Sequence, residues 1–139
     1  MKLISYFFFY TYVGIVILAG FWGAFMNANL DFQLLFGVDT NTLPDYTRIN
    51  MLGQYRFLRA VELGYGVFSI IFARNIFNEK KFNALFLFIM ASGVLARTVS
   101  IFAEGIPSRL MLFFLVYELV GVVMIYLYTR KRINQNGNG

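Results

Sequence analysis

Gln54-Tyr55-Arg56-Phe57-Leu58-Arg59-Ala60-Val61-Glu62-Leu63-Gly64-Tyr65-Gly66 lies inside an apolar run, 51–73, long enough to cross a bilayer. It nevertheless carries two arginines and a glutamate. A charge at membrane depth costs about 2.5–3.5 kcal/mol even on lenient insertion scales, so it persists only where a partner or water compensates it. The reading of this stretch decides the fold. Taken as a span, it gives the chain four crossings and puts both ends on one side.

Three further apolar blocks flank it, at about 6–26, 82–103 and 110–128. Hydrophobic residues make up 59% of the 139 residues and charged residues 14%, against roughly 25% charged in a soluble domain. The solvent of most side chains is therefore lipid. In lipid every backbone polar group must be satisfied internally, and long apolar blocks do this as helices. The expectation is an all-α fold, a four-helix transmembrane bundle forming a single domain over 1–139. The first block exceeds the ~7–15 apolar residues of a signal peptide and lacks a small-residue cleavage site after it, so it reads as an uncleaved span. Tyr6, Phe7, Phe8, Phe9, Tyr10 and Tyr12 crowd one end of it, and Phe21, Trp22 and Phe25 the other. Aromatic side chains favour both membrane interfaces.

The connections carry the topology. Residues 27–50 are too apolar for free solvent, while Asp31, Asp39 and Asp45 keep them from spanning and Gly37 and Pro44 break them. A short helix or turn on the membrane interface is expected there. Residues 74–81 read as a short basic connection, and Glu104-Gly105-Ile106-Pro107-Ser108 as a tight turn. Residues 133–139 read as a polar, mobile tail. Lys2, Arg74, Lys80, Lys81, Arg130, Lys131 and Arg132 all fall on one side of a four-span arrangement. The positive-inside rule then puts both termini in the cytoplasm. The net charge of +5 flanks apolar blocks, which points to lipid headgroups rather than nucleic acid. Ala60 and Gly64, and Ser92, Ala96 and Ser100, are spaced by four and predict ridges where helices approach closely.

The charges inside the spans form the candidate site. A rise of 1.5 Å per residue sets Arg59 and Glu62 ~4.5 Å apart along their helix, with Arg56 ~4.5 Å beyond. Spacing of three brings all of them to one face, with Tyr55 a turn away. By depth, Arg59, Glu62, Arg97 and Glu118 can share one layer. Arg56, Arg59 and Arg97 against Glu62 and Glu118 leave one guanidinium over, and Arg56, the outermost, is the expected surplus. The candidate ligand-binding residues are Arg56, Arg59, Glu62, Arg97, Glu118, Tyr55 and Tyr117. The chain has no histidine and no cysteine, which removes the commonest general base and all thiolate chemistry. No catalytic, metal or cofactor set is expected.

Three functions fit. The first is a non-enzymatic membrane protein whose Arg/Glu cluster forms a polar pocket for a lipid, an isoprenoid-like molecule or a small anion. The second is an accessory subunit of a larger membrane complex, with the charges as interhelical glue. The third is a proton-coupled transporter using Glu62 or Glu118, which with so few spans requires a homo-oligomer.

Phe36-Gly37-Val38-Asp39, Arg56-Phe57-Leu58, Leu63-Gly64-Tyr65-Gly66, Ala96-Arg97, Glu104-Gly105-Ile106-Pro107-Ser108 and Glu118 together resemble a bacterial four-helix membrane family known as a domain of unknown function. The resemblance runs from about Tyr12 to Tyr128. It implies an arginine in the second span, one in the third and a glutamate in the fourth, which fall on Arg56, Arg97 and Glu118. The chain departs from that pattern at Arg59 and Glu62, where members often carry a small residue and an aromatic one. The resemblance implies a fold and no activity.

Overall fold

The computed structural model describes residues 1–136, the last three by backbone alone. Among these residues the fold is all-α, without strands. Six α-helices replace the four expected: α1 (Lys2–Phe21), α2 (Ala28–Phe36), α3 (Asp45–Ile71), α4 (Ala73–Asn78), α5 (Lys80–Glu104) and α6 (Arg109–Asn136). The two extra helices are short and lie in the connections. α2 is the helix expected in 27–50, whereas α4 occupies the stretch read as a basic loop. α6 continues through 133–136, where a tail was expected; the rest of that tail, 137–139, lies outside the described residues.

The helix ends follow local chemistry. α1 closes in a π-helical turn, Trp22–Met26, sealed by the Asn27 N–H donating to the Trp22 carbonyl. The Asn27 side chain then accepts from the Leu30 N–H and starts α2, so one residue stops a helix and caps the next. Gly37, at φ 67°, ends α2 in the left-handed region. Gly105 closes α5 by donating to the Ile101 carbonyl, and the Ser108 carbonyl accepts the first bond of α6 from Leu112.

Among the described residues three segments are long and apolar enough to cross a membrane: Lys2–Met26, Lys80–Glu104 and Arg109–Ile133, each of 25 residues. At 1.5 Å per residue each reaches ~37 Å, beyond the ~30 Å hydrocarbon core. Many large apolar side chains on them point outward, among them Leu3, Leu18, Phe88 and Phe102. That is the surface lipid solvates. α3, at 27 residues, is of similar length. Its charges, Arg56, Arg59 and Glu62 above all, set it apart from the other three.

The chain divides into two compact units. One comprises residues 1–12 with the chain from Ser69 onward; the other is residues 13–68. In the first, Phe9, Ile76, Phe77, Phe86, Met90 and Ile125 are buried. Tyr6 stacks on Phe77 with ring centroids 4.1 Å apart, and Phe9 meets Phe77 and Phe86 at 5.1 and 5.0 Å. Buried Asn83 ties three helices together. Its amide donates to the Ile76 carbonyl of α4 and its oxygen accepts from the Thr129 hydroxyl of α6. Ser5 donates to the Met124 carbonyl, fastening the start of α1 to α6.

In the second unit, α1 and α3 touch backbone to backbone. A Cβ on Gly20 would lie 2.8 Å from the Leu63 nitrogen and 2.9 Å from the Arg59 carbonyl oxygen, and one on Gly66 would lie 2.5 Å from Ile17 Cγ1. Only glycine permits such proximity. The ridges expected from spacing of four lie elsewhere. Gly64 faces open space, and Ser92, Ala96 and Ser100 are exposed. Small residues permit close approach without causing it.

Candidate functional site

Residues 13–68 hold a continuous polar network. Tyr55 and Arg59, one turn apart on α3, face α2. The Tyr55 hydroxyl donates to Asp31 Oδ2 at 2.8 Å and accepts from Arg59 Nε at 2.8 Å. Arg59 Nε also lies 3.7 Å from Asp31 Oδ2, and Arg59 Nη1 meets Glu62 Oε2 at 2.6 Å. The side chains of Arg59 and Asp31 are only 16% and 13% exposed, that of Glu62 47%. Arg59 is thus engaged on two edges by two carboxylates and a phenol. Gly23 makes the space: a Cβ there would fall 2.7 Å from both Arg59 Cγ and Asp31 Oδ2. Phe32, buried on α2, packs against the Tyr55 ring with centroids 4.9 Å apart, so α2 carries Asp31 in on an apolar anchor.

Arg56 takes a different partner. Its Nη1 donates to the Ala24 carbonyl at 2.7 Å, in the π-helical turn that ends α1. The last carbonyls of a helix lack partners within it and carry partial negative charge, so a guanidinium there is favourably placed. The surplus charge expected at Arg56 disappears from the count once Asp31 is included. Arg56 and Arg59 then stand against Asp31 and Glu62.

Arg97 and Glu118 lie in the other unit, on α5 and α6. Arg97 Nη2 is 3.4 Å from Glu118 Oε1, and Nη1 is 3.9 Å from Met111 Sδ. This engagement is looser than that of Arg59, and the Arg97 side chain is 40% exposed against 14% for Glu118. Tyr117 bonds the Thr11 hydroxyl, and its ring lies between Phe8 and Phe113. The seven residues singled out from sequence therefore belong to different units: Tyr55, Arg56, Arg59 and Glu62 to one, Arg97, Tyr117 and Glu118 to the other.

Sequence reasoning missed Asp31, which it treated only as a charge that keeps a loop from spanning. A signal was available. Asn27 as a cap, with Phe32 and Phe36 four apart behind it, marks a short helix with an apolar face, and Asp31 adjoins that face. It also passed over the Ala24 carbonyl, for which sequence offers no sign. The model of a domain of unknown function, DUF4345, matches residues 2–129. The chain belongs to this family. No curated protein and no solved structure matches it. Membership covers all of α1 to α5 and most of α6, so both polar groups fall within the family's domain.

Proposed function

We propose that the chain is a non-enzymatic integral membrane protein, a four-span bundle of α1, α3, α5 and α6, that receives the headgroup of a lipid, an isoprenoid-like molecule or a small anion at Arg97. The half-open state of that guanidinium carries the reading. Arg59 is enclosed by Asp31, Glu62 and Tyr55, and Arg56 is occupied by a carbonyl. Arg97, with one loose carboxylate contact and 40% exposure, keeps donors for an incoming anion. Glu118 beside it serves a hydroxyl or ammonium of the same ligand. Full-length protein purified in mild detergent and analysed by mass spectrometry tests this. Wild type carries an anionic or polar amphiphile, and Arg97→Gln loses it with folding intact. Equal ligand content in both proteins refutes the proposal.

Compensation of its charges supports α3 as a fourth span, since paired ions cost far less at membrane depth than bare ones. Four crossings place both termini on one side, and Lys2, Lys80, Lys81, Arg130 and Lys131 make that side the cytoplasm of a bacterial inner membrane. Single cysteines in this cysteine-free chain report it. A membrane-impermeant thiol reagent applied to whole cells is expected to label Asn41→Cys and spare Lys131→Cys. Both positions behaving alike would mean that α3 does not cross.

A second reading, an accessory subunit whose charges only lock helices together, is favoured by the closed Arg59 network. Copurification of one polypeptide at fixed ratio, without a bound amphiphile, would establish it.

A further inference from the structure

A cavity of about 560 Å³ opens beside α4, lined by Arg74, Asn75, Asn78, Glu79 and, from α6, Arg132. Every lining residue is polar and two are cationic. Neither arginine is ion-paired among the described residues. Arg132 is held in place by neutral groups: Nη1 donates to the Tyr6 hydroxyl at 3.1 Å and to the Tyr128 hydroxyl at 3.0 Å. Those bonds fix its orientation and leave its charge uncompensated. The Asn75 amide donates to Glu79 Oε1, which ties up one oxygen of the only carboxylate among the described lining residues. We propose that this cavity binds the phosphodiester of an anionic glycerophospholipid, with Arg74 and Arg132 on the phosphate and the asparagines on its ester and headgroup oxygens.

Position favours a lipid as the source of that phosphate. The lining lies where apolar helix gives way to polar ends: just before α5 begins at Lys80, and at the close of the apolar segment Arg109–Ile133. Tyr126, Leu127 and Val123, one to three turns further in on α6, are each 45% exposed and offer apolar surface for acyl chains. Lys80, Lys81, Arg130 and Lys131 are exposed nearby in the chain, and such a cluster draws anionic headgroups. The cavity is of ordinary ligand-site size. This inference rests on the chain crossing a membrane with this end at the headgroup layer, and it is independent of whether Arg97 holds a ligand.

The test is native mass spectrometry of the full chain in mild detergent, titrated with phosphatidylglycerol, phosphatidylcholine or inorganic phosphate. Phosphatidylglycerol is expected to be retained in preference to phosphatidylcholine. Arg74→Gln, at an exposed position, is expected to weaken it about tenfold, the worth of one hydrogen bond to a charged group. Lys80→Gln with Lys131→Gln removes twice the charge, all of it outside the cavity, and is expected to leave affinity within about twofold. Arg97→Gln is expected to leave it unchanged, which separates this site from the one proposed above. Equal losses in the two charge-removing variants would mean diffuse attraction, and an undiminished Arg74→Gln would empty the site of meaning. Displacement of lipid by inorganic phosphate at matched concentration would assign the cavity to a soluble ligand instead. Each of these three results overturns the proposal.

Discussion

Arg59→Met is expected to destabilise the protein by about 3 kcal/mol, measured as unfolding free energy in mixed micelles, because it strands a largely enclosed carboxylate. Methionine preserves most of the volume beside Gly23, so the loss reports charge rather than a cavity. Asp31, with a side chain 13% exposed, would keep only the Tyr55 hydroxyl among the partners described for it. Glu62, 47% exposed, loses less because solvent or headgroups reach it. Removing all the charges together should therefore hurt less than removing one. Arg59→Met combined with Asp31→Asn and Glu62→Gln is expected to recover at least half of the single-variant loss. A combined loss equal to or larger than the sum of the separate ones would show that the three side chains do not act as a unit.

Three long apolar helices were legible because lipid leaves the backbone of such a segment no alternative. Twenty apolar residues between charged ends can satisfy their amides only by coiling. The pairing of Arg59 with Glu62 was legible for a similarly local reason, since residues three apart share a helix face. Asp31 was not, because its partners Tyr55 and Arg59 lie far along the chain and no periodicity links them. The same holds for Arg56. A guanidinium can answer a carboxylate or a bare carbonyl, and sequence lists only carboxylates. Counting ionisable groups thus left a surplus at Arg56 that the end of α1 absorbs. Gly20, Gly23 and Gly66 were passed over for a further reason. Their spacings of three and forty-odd residues fit no small-residue motif, and close approach is set by where two helices cross. The cavity at Arg74 and Arg132 was invisible until α4 folded as a helix, since a loop read from its charge alone has no walls.

Glu118→Leu is expected to cost about 2–3 kcal/mol, less than the loss at Arg59 because Arg97 is already 40% exposed and can turn outward. Arg97→Leu alone is expected to cost a comparable amount by removing the cation beside Glu118, whose side chain is 14% exposed. The contact between them is long, 3.4 Å through a single nitrogen, so the coupling energy should lie near the ~1 kcal/mol found for interhelical polar contacts in membranes. The double variant should then be more stable than the sum of the single losses predicts, by about that amount. Strict additivity would mean that each residue answers to something else. Repeating the cycle with and without the copurifying amphiphile sharpens the test. A ligand held by Arg97 competes for the guanidinium, so its removal is expected to raise the coupling between Arg97 and Glu118. A coupling that does not respond to the ligand would show that the pair is a fixed lock between α5 and α6, and would move the reading of this protein from a receptor of amphiphiles to a structural subunit.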